Sequence, residues 1–150
     1  MYVWPSALVL AEYVFQHLNM VRGTQELPTT VLELGAGTAL PSLLLAKVLP
    51  STHNFVIVTD RPDVPLILDN VRASLKENGM EGLYPSDSKA QVMVRGLGWG
   101  DFALASKDNK DGGLLQLLED VSAIGSGRID LILGSDVFYN PPGKQSDDRL

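Results

Sequence analysis

The sequence predicts a doubly wound α/β fold with a mostly parallel sheet, and three observations carry that expectation. Short apolar runs at Thr30–Leu34, Phe55–Thr59, Gln91–Arg95 and Ile129–Gly134 alternate with helical segments, the order that buries a parallel sheet between two helical layers. The first run passes through Gly35-Ala36-Gly37 directly into a helical segment, and right-handed crossovers place such turns at the carboxyl edge of the sheet. An acidic residue stands at or near the carboxyl end of three runs: Glu33, Asp60 and Asp136.

Taken in order, Pro5 and Ser6 open a helix that runs to Met20. It is apolar on most of its circumference (Leu8, Leu10, Tyr13, Val14, Phe15, Leu18), which predicts burial on several sides. Gly23–Thr29 reads as a loop and Thr30–Leu34 as a buried strand. Ala39–Leu49 is a helix in which Pro41 is tolerated because it sits in the first turn. Phe55–Thr59 is a second strand closed by Asp60. Asp63 is placed to cap a helix with Leu68, Val71 and Leu75 on one face, and Gly79 to end it. Gln91–Arg95 is a third strand. The polar stretch Ser106–Gly113 is a loop, and Leu114, Leu117, Leu118 and Val121 then mark an amphipathic helix. Ile129–Gly134 is a fourth strand, with Asp136 just beyond it.

The composition narrows the classes of function. The chain has 150 residues, 45% of them hydrophobic and 20% charged, enough for one globular domain with a real core. With 12 Lys and Arg against 18 Asp and Glu, the net charge is −6, which disfavours binding to a nucleic-acid backbone. It suits a small-molecule enzyme or one with a basic protein substrate. There is no cysteine, so disulfides and thiolate metal sites are excluded. No run reaches the ~20 apolar residues of a membrane span, and the N-terminus lacks the basic region and cleavage site of a signal peptide. The expected location is intracellular, in the cytoplasm or the nucleus.

The Gly35-Ala36-Gly37 turn permits close backbone approach to a ligand, although two glycines alone also serve a plain sharp turn. Asp60 stands about twenty residues further on, in register to accept both hydroxyls of an adenosine ribose. Nicotinamide and sulfonium cofactors share that geometry. The dinucleotide fingerprint needs a third small residue where this chain has Leu40. Glu33 lies inside the strand, where a buried carboxylate is costly unless paired. It suits the cationic S-adenosylmethionine, or else caps neighbouring backbone amides.

Four motifs occur in the order and approximate spacing of one family: Tyr2-Val3-Trp4-Pro5-Ser6-Ala7, Leu32-Glu33-Leu34-Gly35-Ala36-Gly37-Thr38, Trp99-Gly100 and Ser135-Asp136-Val137-Phe138-Tyr139. On these residues the chain resembles the seven-strand protein methyltransferases of methyltransferase family 16, which includes lysine methyltransferases. The resemblance implies a Rossmann-like class I methyltransferase domain with S-adenosylmethionine as cofactor. It implies a protein substrate, such as a histone or a chaperone, methylated on lysine or arginine, with no direct nucleic-acid or membrane partner. Trp4 would wall the cofactor pocket, Glu33 and Gly35-Ala36-Gly37 line its methionine end, Asp60 hold the ribose, and the segment around Trp99 flank the adenine. From the residues alone, Trp4 and Trp99 also read as core side chains whose N–H groups need partners.

Asp136 and Tyr139 resemble the family's acidic-x-x-Tyr motif. Methyl transfer is a direct displacement that needs a nucleophile with a free lone pair. A substrate lysine has a reference pKa of about 10.4, and arginine is far more basic. A carboxylate and a phenol can orient that cation and help remove a proton. Asn140-Pro141-Pro142 resembles the Asn-Pro-Pro-aromatic motif of enzymes that methylate adenine or glutamine amides. It lies beyond Tyr139 rather than directly after the strand, and Gly143 follows it, so it is read as a loop turn.

The family domain has seven strands and four are legible here. Residues 1–150 are therefore expected to form a single domain, the N-terminal cofactor-binding part, incomplete on the C-terminal side. The apolar fourth strand is then an exposed edge, and the isolated polypeptide is expected to be marginally folded and a weak or inactive catalyst. A catalytically inactive remnant that binds cofactor or a partner is the alternative function.

Overall fold

The computed structural model describes residues 2–21, 29–49, 54–80, 91–98, 113–124 and 127–137. Four parallel strands form one sheet: β1 (Thr30–Leu34), β2 (Phe55–Asp60), β3 (Gln91–Gly96) and β4 (Leu131–Gly134). Their spatial order is β3-β2-β1-β4. The chain builds outward from β1 through β2 to β3, then returns to lay β4 on the opposite edge of β1. The helices are α1 (Pro5–Gln16), the single turn α2 (Leu18–Val21), α3 (Leu40–Val48), α4 (Pro65–Glu77) and α5 (Gly113–Ala123). None of the described helices is long and apolar enough to cross a membrane.

Alternation along the strands makes two cores. On one face Val31, Val56, Val58, Val92 and Leu133 pack with Val14 of α1, Leu45 and Ala46 of α3 and Val71 and Leu75 of α4. On the other, Leu32 and Ile57 pack with Leu117 and Val121 of α5. Ile57 is fully buried in that smaller core. Ile57→Val is expected to cost about 1 kcal/mol. The urea unfolding midpoint should fall with an unchanged slope, and a changed slope would mean that more than a methyl group was lost.

The strands and three long helices stand where the sequence put them, within one or two residues. The first helix differs. It breaks at His17, whose backbone N–H bonds back to Tyr13 and Val14. It also buries only Ala7, Ala11 and Val14, leaving Leu8, Val9, Tyr13 and Phe15 exposed. A circumference apolar on most sides predicted a helix covered on several of them, but among the described elements α1 packs chiefly against α3.

The start of α4 also departs from expectation. Its N-cap is Val64, with no side-chain cap, and Pro65 takes the first helical position. Asp63 is drawn instead to the guanidinium of Arg61. Proline at that position needs no amide acceptor, which removes part of the demand for a capping carboxylate. The other end matches. Gly79, at φ +68°, donates to Lys76 O while Met80 N donates to Leu75 O, the double bond of a Schellman stop. β4 is two residues shorter than read, and Asp130 before it meets Thr30 partly through its side chain. Its carboxylate accepts from Thr30 N at 2.9 Å and its own N–H donates to Thr30 O.

At the β4 edge Ile132 is 59% exposed, and among the described residues no further strand pairs there. α5 covers β1 and β2 on that face.

Candidate active site

The order β3-β2-β1-β4 reverses direction between β1 and β4. Beyond the carboxyl ends of strands at such a reversal, α/β sheets leave a crevice for ligands. The turn after β1 and the loop after β4 border it.

The turn after β1 is stitched to the end of β2. Ala36 N donates to Thr59 O at 3.0 Å, Gly37 N to Asp60 Oδ2 at 2.8 Å and Arg61 N to Asp60 Oδ1 at 2.7 Å. Thr59 Oγ1 donates to Glu33 O at 2.7 Å, so each strand end holds the other. Gly35 and Gly37 take left-handed φ values of +59° and +54°, which explains glycine at both. A Cβ added at Gly37 would meet nothing within 4 Å. The residue therefore stands beside open space among the described residues. Ala39 follows at φ +54° as the N-cap of α3, a conformation costing about 1 kcal/mol for alanine. Its methyl group is fully buried.

Asp60 is buried, and each carboxylate oxygen accepts one backbone N–H. A carboxylate has about four lone-pair directions, so capacity for two further donors is left. The expected register between Asp60 and the glycine turn is present.

Glu33 is 2% exposed and faces α3, where its Oε2 accepts from Ser42 N at 3.2 Å. That is the amide-capping contact, at a helix start where negative charge is favoured. Burial pushes the carboxyl up to about 7; Ser42 hydrogen bonding opposes the rise and the negative charge of Asp60 adds to it. The protein thus keeps beneath its glycine turn an acid that would ionise more readily beside a cation.

Trp4 is not a core residue. It caps α1 at its N-terminus, is 62% exposed, and meets Tyr2 edge-to-face at 5.4 Å between ring centres. Two residues on, Ser6 Oγ donates to Asp136 Oδ2 at 2.5 Å. The first turn of α1 and the loop after β4, 130 positions apart, therefore meet. Asp136 is exposed and has φ +53°. The roles read for Trp99 and Tyr139, and the turn at Asn140-Pro141-Pro142, lie outside the described residues. Among the described residues no three His, Asp or Glu side chains gather to hold a metal.

Sequence reading missed Ser6, Ser42 and Thr59. Ser6 lies inside a quoted motif but reads there only as a helix start. The Ser42 contact uses a backbone amide, so nothing in its side chain announces it.

Fold, strand reversal, glycine turn and strand-end aspartate together define a Rossmann-like α/β domain, and comparison with known proteins makes it a methyltransferase domain. The chain belongs to the family described as lysine methyltransferase, whose profile matches residues 1–144. It is 39% identical over 141 residues to the histone-arginine methyltransferase METTL23 of Xenopus laevis, covering 94% of this chain and 45% of that protein. To the Homo sapiens protein of the same name it is 33% identical over 141 residues, covering 94% and 56%. To the protein N-terminal and lysine N-methyltransferase efm7 of Schizosaccharomyces pombe it is 27% identical over 139 residues, covering 93% and 44%. The chain spans about half the length of the curated relatives it matches.

Proposed function

We propose that this chain carries the cofactor site of an S-adenosylmethionine-dependent protein methyltransferase, which modifies a lysine or arginine side chain of a basic protein such as a histone. The observation that carries the reading is the Asp60 carboxylate, which ties the glycine turn to the end of β2 and keeps lone pairs for two hydroxyls. The open space beside Gly37 and the buried, unusually basic carboxyl of Glu33 fit a cationic adenosine cofactor. Names of relatives that act on histone arginine and protein lysine support the same class of substrate. A histone substrate would be met in the nucleus or in the cytoplasm.

In this reading Asp60 takes the ribose hydroxyls, the backbone of Gly35-Ala36-Gly37 lies along the methionine end, and Glu33 supplies negative charge below it. By the family resemblance, Trp4 would help wall the pocket and the segment around Trp99 would flank the adenine. When bound, the cofactor supplies an electrophilic methyl group on sulfur. Asp136 accepts hydrogen bonds from the substrate cation, fixes the approach of its nitrogen and helps to draw off a proton. Tyr139 narrows the channel.

Two measurements test this. Titration calorimetry should show binding of S-adenosylmethionine and S-adenosylhomocysteine and none of NAD. In an active, longer form of the chain, radiolabelled methyl transfer to purified core histones should fall by at least about a hundredfold in Asp136→Ala while cofactor affinity is kept. NAD binding, or unchanged turnover in Asp136→Ala, would sink the corresponding assignment. Cofactor binding without any transfer would favour an inactive cofactor-binding domain.

A further inference from the structure

We propose that Ser6 is a positioning residue for Asp136: its hydroxyl, delivered by the first turn of α1, sets the rotamer and backbone of the carboxylate that anchors the substrate nitrogen. The inference rests on the reading of Asp136 given above and extends it to a residue from the opposite end of the sequence.

Three observations carry it. The first is the bond itself, from Ser6 Oγ to Asp136 Oδ2 at 2.5 Å. It joins the second residue of a 12-residue helix to a loop 130 positions later. A serine further along a helix can turn its hydroxyl back on the carbonyl four residues before it. In the first turn no helical carbonyl lies there, so the hydroxyl is available to reach outward.

The second observation is the backbone of Asp136, at φ +53°. Aspartate enters the left-handed region more readily than most L-residues, as a single residue at a turn, so its conformation marks a tight turn here. Here the loop doubles back sharply. A Cβ placed on Gly134 would stand 3.2 and 3.3 Å from the two Cγ atoms of Val137, so Val137 folds over the end of β4 and leaves Asp136 at the apex. Val137 lies close over Gly134, and the Ser6 bond holds the Asp136 side chain.

The third is exposure. Asp136 is exposed and Ser6 half-buried. A carboxylate at an exposed loop apex samples several rotamers, and one short hydrogen bond is enough to select among them. The bond occupies part of the acceptor capacity of Oδ2 and leaves Oδ1 for a substrate N–H. Ser6 need not touch substrate or cofactor.

The test compares the unsubstituted chain with Ser6→Ala, Ser6→Thr, Asp136→Asn and the double variant Ser6→Ala/Asp136→Asn. It reads kcat and KM for methyl transfer to core histones, the Kd for S-adenosylhomocysteine, and Tm. Losing a hydrogen bond to a charged group predicts a kcat lowered roughly tenfold in Ser6→Ala, with the Kd held within about twofold. Ser6→Thr, which keeps the hydroxyl, should recover kcat to within about twofold. In the Asp136→Asn background, Ser6→Ala should cost nothing further, because the group it positions is gone. A role confined to folding would move Tm and cost the same in both backgrounds. Unchanged kcat in Ser6→Ala, or a further drop of about tenfold from Asp136→Asn to the double variant, would overturn the positioning role and leave the methyltransferase reading standing. Full turnover in Asp136→Asn, or no turnover by the unsubstituted chain with cofactor bound, would remove the reading on which it rests and the positioning role with it.

Discussion

Asp60→Ala is expected to abolish cofactor binding and to lower stability by about 2 kcal/mol. The stability loss follows from two charge-assisted bonds, Gly37 N–H to Oδ2 and Arg61 N–H to Oδ1, both removed from a buried carboxylate. Part of that cost is returned because the freed amides lie on a turn that water can reach. The binding loss follows from the two ribose hydroxyls assigned to the same group. Losing both should weaken S-adenosylmethionine by at least about a hundredfold. Asp60→Asn sharpens the test. Both protein partners of Asp60 are donors, so an amide satisfies one of them and turns its own N–H2 toward the other. The asparagine variant should therefore bind nearly as poorly as alanine. Calorimetry against S-adenosylhomocysteine and urea unfolding read the two effects separately, and an unchanged Kd in both variants would overturn the ribose assignment.

Glu33→Gln is expected to stabilise the chain at pH 8 by up to about 3 kcal/mol while weakening the cofactor. The carboxyl of Glu33 is raised from 4.5 to about 7, chiefly by burial. A folded acid with a raised pKa holds its proton over a range in which the unfolded chain has lost it. The folded state then binds more protons than the unfolded state, and stability falls as pH rises. The stability is fully present below about pH 4.5, declines through the interval up to about 7 and is gone above it. Each pH unit in that interval is worth at most about 1.4 kcal/mol. Glutamine keeps an oxygen for Ser42 N and carries no proton to lose, so its stability should be level across the same interval. The difference between the two proteins isolates this one group from the other carboxylates. Chemical unfolding at intervals from pH 5 to 8 measures it, and a difference independent of pH would refute the linkage. The expected loss of affinity comes from the same change. A neutral amide offers a sulfonium cofactor no charge, so on the proposed reading the chain gives up stability to keep a carboxylate near its glycine turn.

The sheet was legible because β1 and β2 are buried on two faces and read as continuous apolar runs, while β3 and β4 keep enough of the same pattern to be read beside them. The glycine turn was legible because positive φ at Gly35 and Gly37 demands that residue. The partnership of Asp60 with the turn followed from spacing, since a βαβ unit fixes how far one strand end lies from the next. Less could be read where two chemistries satisfy one residue. Glu33 suits a cation or a helix start, and the contact it makes is with the helix start. Asp63 had the right chemistry to cap α4, but Arg61 is two residues away and Pro65 needs no cap. The outer face of α1 was misjudged because the composition of a helix says what it would gain by burial, not whether another element lies beside it. Ser6 and Asp136 are out of reach of any local rule, because only the completed sheet brings their positions together.

The placement of β4 also fixes an order of assembly. A chain emerging from the ribosome presents β1, β2 and β3 in the sequence in which they pair, so that side of the sheet can form progressively. The far edge of β1 must wait for residues 131–134, which align with Val31–Leu34 across about a hundred intervening positions. Pairings of such long range close slowly, since the entropy of the loop is lost before any contact rewards it. The junction of α1 with the Asp136 loop cannot exist until that pairing is made. On the proposed reading, the turn assigned to the cofactor is thus an early product of synthesis and the corner assigned to the substrate a late one.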